Sequence, residues 1–316
     1  MLVSEVRIVN VSVGSMNGAL ALYSGVLGLD VIARGDLPPE LAGPWRIPPG
    51  LSGKVALLAA GSERTGMLRL VEFDAPGDPV WTKTHQLSGN GFWALNYRVH
   101  DIRALLPRLL EAGVTGSGEA KNWAITDEVE VWDSITTDPD GVHLDVYSYE
   151  RGTEIRGGKL HGRISPLQTI AMCVHDLANT RRFYEGLGFE VLWERTIAGL
   201  EDMLQIPEGI TLHDANLVRD PDILPGRVEL FQFLDTGVVS LPEPVPLTNR
   251  AVPPARGILS VSMATPDLDE ASRLVTNLGA AAVAPPVEVE LPGIGPATVA
   301  TFLGPEGECV ELYQQD

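Results

Sequence analysis

The 316-residue chain has two cysteines, Cys173 and Cys309. Two thiols cannot staple a chain of this length, so its fold does not rest on disulfides. Basic residues are in the minority: 23 Lys and Arg stand against 42 Asp and Glu, a formal charge of −19. That surplus repels phosphate backbones and anionic lipid, which sets nucleic acid and membrane surfaces aside as partners. No segment approaches the ~18 apolar residues of a membrane span. The opening MLVSEVRIVNVSV lacks the basic region, apolar stretch and cleavage site of a secretory leader. A cytoplasmic protein is the resulting expectation. Also missing are a Gly-rich phosphate loop ahead of a helix, a G-x-S-x-G elbow and a Cys-x-x-Cys pair, and with them the chemistries they serve.

What is present is ordinary in bulk and repetitive in detail. Apolar residues make up 44% and charged residues 21%, as in a globular protein, and the length suits about two domains. Residues 9–28, VNVSVGSMNGALALYSGVLG, correspond to 170–188, IAMCVHDLANTRRFYEGLG. Each reads as an alternating strand, a polar turn, a helix with a Leu-Tyr or Phe-Tyr pair, and a Gly stop. MLRLVEF (67–73) corresponds to RVELFQF (227–233). A second type of unit opens at 94–114 and recurs at 260–280, closing with DPDGVHLDVYSY (138–149) and GPEGECVELYQQ (304–315). The chain is a tandem duplication, and each copy is itself two strand-helix-strand-strand-strand units. We place one domain at 1–151 (units 1–75 and 91–150), a Gly-rich linker at 152–166, and a second domain at 167–316 (units 167–235 and 257–316). The stretch 235–257 carries five prolines and joins the units of the second half.

The strand, Ser-Met or Asp-Leu turn, helix with LY or FY, VLGL or GLGF sequence, and the DPDG and GPEG turns, resemble the vicinal oxygen chelate superfamily. That group includes glyoxalase I, extradiol dioxygenases and bleomycin-resistance proteins. The resemblance implies an α+β fold of tandem domains, each pairing two βαβββ units into a curved mixed sheet around a cavity. It also implies one divalent metal held by His, Gln or Glu at fixed strand positions. In this sequence those positions fall on Ile8, Arg69, Ala94 and Asp145 in the first half, and on Thr169, Glu229, Ser260 and Glu311 in the second. Neither set keeps the histidines, so the expectation is no metal cofactor. A divalent metal at Glu229 and Glu311, helped by Cys173 and Cys309, is the alternative.

Two constellations then compete. Glu229 and Glu311 are expected to face one cavity in the second half, with Thr169 and Ser260 nearby. Two carboxylates in a low-dielectric pocket push their pKa values apart and can act as acid and base. In the first half, strand parity aims Asn10, Ser12, Arg69, Asn96, Arg98, His143 and Asp145 into the other cavity. Arg69 and Arg98 could clamp an anion, and Asp145 could orient His143 for proton transfer. Equally, Asp145 paired with Arg69 would be a buried salt bridge standing in for a lost metal. Trp45, Trp81, Trp93, Trp123 and Trp132 lie in the first half and Trp193 in the second, and aromatics around a cavity favour flat ligands. The first reading is a metal-independent lyase or isomerase for a small aromatic or polyketide-like molecule, with Glu229 and Glu311 or His143 and Asp145 catalytic. A non-catalytic small-molecule binder of the bleomycin-resistance type is the alternative. A metal-dependent glyoxalase or extradiol dioxygenase ranks last because the histidines are absent. The partner is a small molecule, and the chain is a monomer or homodimer.

Overall fold

The structure, a computed structural model, describes residues 1–152, 159–235, 237, 240–246 and 250–315. Residues 153–158 of the expected linker, and 236, 238, 239 and 247–249 of the Pro-rich stretch, lie outside the described residues. The first unit holds β1 (Val6–Val13), α1 (Met16–Leu20, continued as a wider helix over Ala21–Leu27), β2 (Asp30–Asp36), β3 (Gly53–Ala59) and β4 (Met67–Phe73). The second holds β5 (Gly91–Arg98), α2 (Ile102–Glu111), β6 (Thr115–Gly116), β7 (Lys121–Ala124), β8 (Glu130–Thr137) and β9 (His143–Arg151). The third holds β10 (Thr169–Cys173), α3 (Leu177–Gly186), β11 (Glu190–Ile197), the short α4 (Glu201–Leu204), β12 (Thr211–Val218) and β13 (Arg227–Leu234). The fourth holds β14 (Gly257–Ala264), α5 (Leu268–Asn277), β15 (Ala281–Ala282), β16 (Val287–Leu291), β17 (Gly295–Leu303) and β18 (Cys309–Gln315). No helix among the described residues is long and apolar enough to cross a membrane.

The repeated polar turns are helix N-caps. Ser15, Asp101, Asp176 and Asp267 each accept a bond from a backbone N–H in the first turn of the helix that follows. The repeated glycine stops have an equally local cause. Gly28 and Gly188 sit at φ of 100° and 93°, the left-handed region that glycine reaches without a Cβ clash.

The strands form two mixed nine-stranded sheets, but they do not pair within each half as the repeat boundaries suggested. The first sheet runs β15-β17-β18-β14-β1-β4-β3-β2, with β16 against β17. The second runs β11-β12-β13-β10-β5-β9-β8-β6, with β7 against β8. Unit one therefore joins unit four, and unit two joins unit three. Each joint is an antiparallel pair at the middle of a sheet, β1 with β14 and β5 with β10. Period-2 alternation gives each sheet two faces. Val9, Val11 and Val13 of β1, and Leu95 and Tyr97 of β5, enter one core shared by both sheets and their helices. The opposite faces line two separate cavities.

Polar contacts tie the sheets together. Tyr23 of α1 donates to Asp138 at 2.8 Å, in the turn that closes the second sheet. In the other half, Tyr184 of α3 reaches Glu308 at 3.5 Å. Glu306 beside it accepts from the His175 and Asp176 backbone N–H groups at 3.0 and 3.1 Å and from Asn90 at 2.6 Å. Burial, reinforced by Glu306, pushes the Glu308 carboxyl up to about 8.

Two expectations follow from this architecture. Fragments 1–152 and 159–316 each carry one unit of each sheet, so neither completes a sheet as a monomer. Co-expressed fragments should co-purify and give a dispersed amide NMR spectrum, whereas a folded monomeric fragment would contradict the pairing. Because Glu308 holds its proton more tightly when folded, its contribution is full below about pH 4 and lost as pH rises through about 8. Glu308→Gln should thus gain stability relative to the parent between about pH 5 and 8. Parallel urea midpoints across that range would count against it.

Candidate functional site

Period-2 alternation and the β1–β14 joint bring Asn10, Arg69, Ser260, Ser262 and Glu311 together on the cavity face of the first sheet. Asn10 lies opposite Ser260 and beside Arg69, and Ser262 lies beside Glu311. Arg69 and Glu311 are 2% and 0% exposed and sit 3.7 Å apart. Ser262 donates to one Glu311 oxygen at 2.6 Å and the Trp45 indole N–H to the other, also at 2.6 Å. Arg69 donates to Asn10 at 3.1 Å, and the Asn10 amide donates to Ser260 and Ser262 at 2.8 and 2.9 Å. The Arg69 guanidinium lies 6.0 Å from the Trp45 ring. Every member of this network is buried. It plugs the cavity centre.

The corresponding face of the second sheet stays open. Asn96 pairs in register with Thr169 and Asp145, and Ala171 with Glu229. Around these positions a cleft opens to solvent. Its walls are aromatic, with Trp93, Trp123, Trp193, Tyr147, Tyr149 and Phe231. Its floor carries four acids, Asp133, Asp145, Asp214 and Glu229, beside Asn96, Asn216 and Thr169. Asp133 and Asp145 make a carboxyl–carboxyl contact, and so do Asp214 and Glu229. Facing carboxyls repel when both are ionised, which favours a proton on one member of each pair.

Burial is the main cause that raises all four carboxyls. Asp145 and Asp214 stand well above the ordinary range, through burial and then the neighbouring acids. On Glu229 the rise is opposed by Arg227, by the Asn96 amide donating at 2.7 Å and by Arg195. Arg195 lies between two indoles, 5.0 Å from the Trp123 ring and 4.5 Å from the Trp193 ring, and donates to the Ile125 carbonyl at 2.6 Å.

The structure regroups the residues singled out from the sequence. Glu229 and Glu311 do not share a cavity, because β13 belongs to the second sheet and β18 to the first. Thr169 and Ser260 are separated in the same way, as are Cys173 and Cys309. Arg69 and Arg98 form no clamp: Arg69 is in the plug, and Arg98 stacks 5.2 Å from Tyr149. The Arg69 partner is Glu311, not Asp145. Asp145 does not orient His143, since its contact is Asp133. His143 instead stacks on Trp93 at 4.2 Å, and burial lowers its pKa to about 4. Asn10 serves the plug, while Asn96, Thr169, Asp145 and Glu229 meet in the cleft. Sequence reasoning missed Asp133, Asp214 and Asn216. Their signal was parity: each is a polar residue on the inward register of a largely buried strand, β8 or β12.

Residues 6–146 match the model of the Glyoxalase/Bleomycin resistance protein/Dioxygenase superfamily. That match spans less than half of the chain and marks a likeness to this superfamily. No curated protein matches the sequence significantly. Among solved structures, glyoxalase I from Zea mays is 18% identical, with 98% of this chain and 92% of that one covered at a TM-score of 0.63. A glutamate-to-glutamine variant of the maize enzyme is also 18% identical, covering 98% and 94% at 0.65. A candidate dioxygenase from Bacillus subtilis is 13% identical, covering 99% and 86% at 0.62. At these identities the likeness is one of fold.

The superfamily's metal positions can be tested against the side chains that occupy them. In the first sheet a guanidinium stands among them, already paired with the one carboxylate. In the second sheet no histidine lines the cleft around the corresponding positions, and the Asn96 amide donates to Glu229. Among the described residues, no three His, Cys, Asp or Glu side chains are arranged to hold a metal ion. Neither set fits the superfamily's metal.

The plug makes a stability prediction. Glu311→Ala leaves the buried Arg69 charge without its partner, at a cost of about 3–5 kcal/mol. Adding Arg69→Met should recover a large part of that loss in urea unfolding. A Glu311→Ala cost within the range of an ordinary surface change, about 0.5 kcal/mol, would refute the plug as a structural element.

Proposed function

We propose that the chain acts on a small, flat organic molecule in the second-sheet cleft by metal-independent acid–base chemistry, as an isomerase or lyase. The observation that carries this reading is the pair of carboxyl–carboxyl contacts on the floor of an aromatic cleft. Paired acids in unequal surroundings divide their roles. Arg227, Asn96 and Arg195 favour the ionised form of Glu229, making it the base. Asp214 keeps the proton they share, its carboxyl raised by burial and by Glu229. Asp145, also held protonated, is the acid of the opposite pair. Glu229 would remove a proton from a carbon beside a carbonyl, and Asp145 would donate to the oxygen as charge builds there. Aromatic walls orient a flat substrate and exclude water from the reacting face.

His143 and Glu311 are not part of this machinery. The first stacks on Trp93, outside the acid pairs, and the second is sealed in the plug. A non-catalytic binder is the second reading, favoured by the Trp123–Arg195–Trp193 stack, which would hold a planar ligand without any chemistry.

The test is deuterium wash-in, followed by NMR, over flat ketones and esters with one acidic C–H, using chelator-treated protein. One C–H should exchange, and Glu229→Gln should slow it by about 10²–10⁴. The rate should fall at low pH as Glu229 gains a proton and at high pH as Asp145 loses one, giving a bell. Loss of exchange on chelation, or an unchanged Glu229→Gln rate, would sink the proposal. Saturable binding with no exchange would transfer support to the binder.

A further inference from the structure

The cleft floor has an excess of acceptors. The side-chain oxygens of Asn96 and Asn216 have no hydrogen-bond partner, although these residues are only 6% and 2% exposed. Both line the cleft. Buried amide oxygens in this state are destabilising until a donor arrives. The four acids add to the shortage: Trp123 donates to Asp133 and Asn96 to Glu229, but Asp133, Asp145 and Asp214 each keep an oxygen with no hydrogen-bond partner. The charged groups that face them are few. Asp133 is on β8, Asp145 on β9, Asp214 on β12, and Glu229 with Arg227 on β13; β11 adds Arg195, and β5 and β10 contribute no charged group to the lining. Both guanidinium groups have backbone acceptors: Arg227 donates to the Gln168 carbonyl and Arg195 to that of Ile125. The walls already hold one planar cation, since Arg195 lies against two indole rings at cation–π distance.

Resting on the reading that this cleft is the working site, we propose that its substrate carries a cationic, donor-rich head on a flat apolar body. The head is an amine, amidine or guanidinium, seated between the Asp133–Asp145 and Asp214–Glu229 pairs. It donates to the Asn96 and Asn216 oxygens and to the unpartnered Asp133 and Asp214 oxygens, leaving the Asp145 proton in place. The body lies along Trp93 and the Trp123 and Trp193 wall. An anionic substrate would meet four acids and leave the amide oxygens unpaired, so the site selects against it.

Titrating the tryptophan fluorescence of the full chain with 2-naphthamidine and with its isostere 2-naphthoate, at about pH 8, tests the sign of charge directly. The amidine should bind at least about tenfold tighter, a difference of about 1.4 kcal/mol. Asp214→Asn and Asp145→Asn should each cut the preference by about tenfold, but the comparison on the unmodified chain needs neither variant. Equal or tighter binding of naphthoate overturns the proposal, and so does failure of both probes to saturate below about 1 mM. The wash-in experiment reports separately on acid–base chemistry. Amidine preference with no Glu229-dependent exchange upholds the charge assignment and removes only the catalytic one.

Discussion

Two antiparallel strand pairs, β1 with β14 and β5 with β10, hold everything else in place. Each joins a unit from one half of the chain to a unit from the other. The backbone bonds of these joints are worth little singly, but they set the register, and a slip of one residue would turn every inward side chain outward. Because both cavities straddle a joint, every functional constellation is assembled from residues far apart in sequence. Asn10 meets Ser260, and Asn96 meets Thr169, only once the halves have folded together. The Tyr23–Asp138 and Tyr184–Glu308 contacts then tie the helices of one sheet to the closing turn of the other.

The two cavities began as equivalents under the internal repeat and have separate physical fates. In the first, an arginine beside a glutamate neutralises the centre, and an indole from a covering loop satisfies the remaining lone pair. Removing two charges from water is costly, and their attraction offsets that cost only when hydrogen bonds complete the geometry. Here Ser262 and Trp45 satisfy the Glu311 oxygens and Asn10 accepts from Arg69, so the centre is occupied by its own side chains. In the second, four acids face too few donors, and the site stays open and strained toward protonation. Groups of this kind, with perturbed pKa values at the floor of a cleft, mark working sites more often than structural ones.

Much of the fold was legible in the sequence. The helix-capping Ser15, Asp101, Asp176 and Asp267, and the stops at Gly28 and Gly188, repeat because the same local geometry recurs four and two times. Strand parity also gave the inward faces correctly at Asn10, Arg69, Thr169 and Glu229. What parity cannot carry is the identity of a strand's neighbour. A pattern of alternating apolar residues is the same whether β1 pairs within its half or across to β14. That is why Glu229 and Glu311 were expected together and are found in different sheets. Asp133 and Asp214 belong to no motif, and only the register of β8 and β12 reveals them.

The claim on which the functional account turns is that the second-sheet floor retains protons at neutral pH while the first is a finished ion pair. Carboxyl ¹³C NMR across a pH titration, assigned through single Asp-to-Asn and Glu-to-Gln variants, reads this directly. The account predicts that Asp145 and Asp214 still carry protons at about pH 7, displaced upward by burial and by neighbouring acids. Titration of all four floor acids in the ordinary range near pH 4 would contradict it, and with it the assignment of this cleft as the working site.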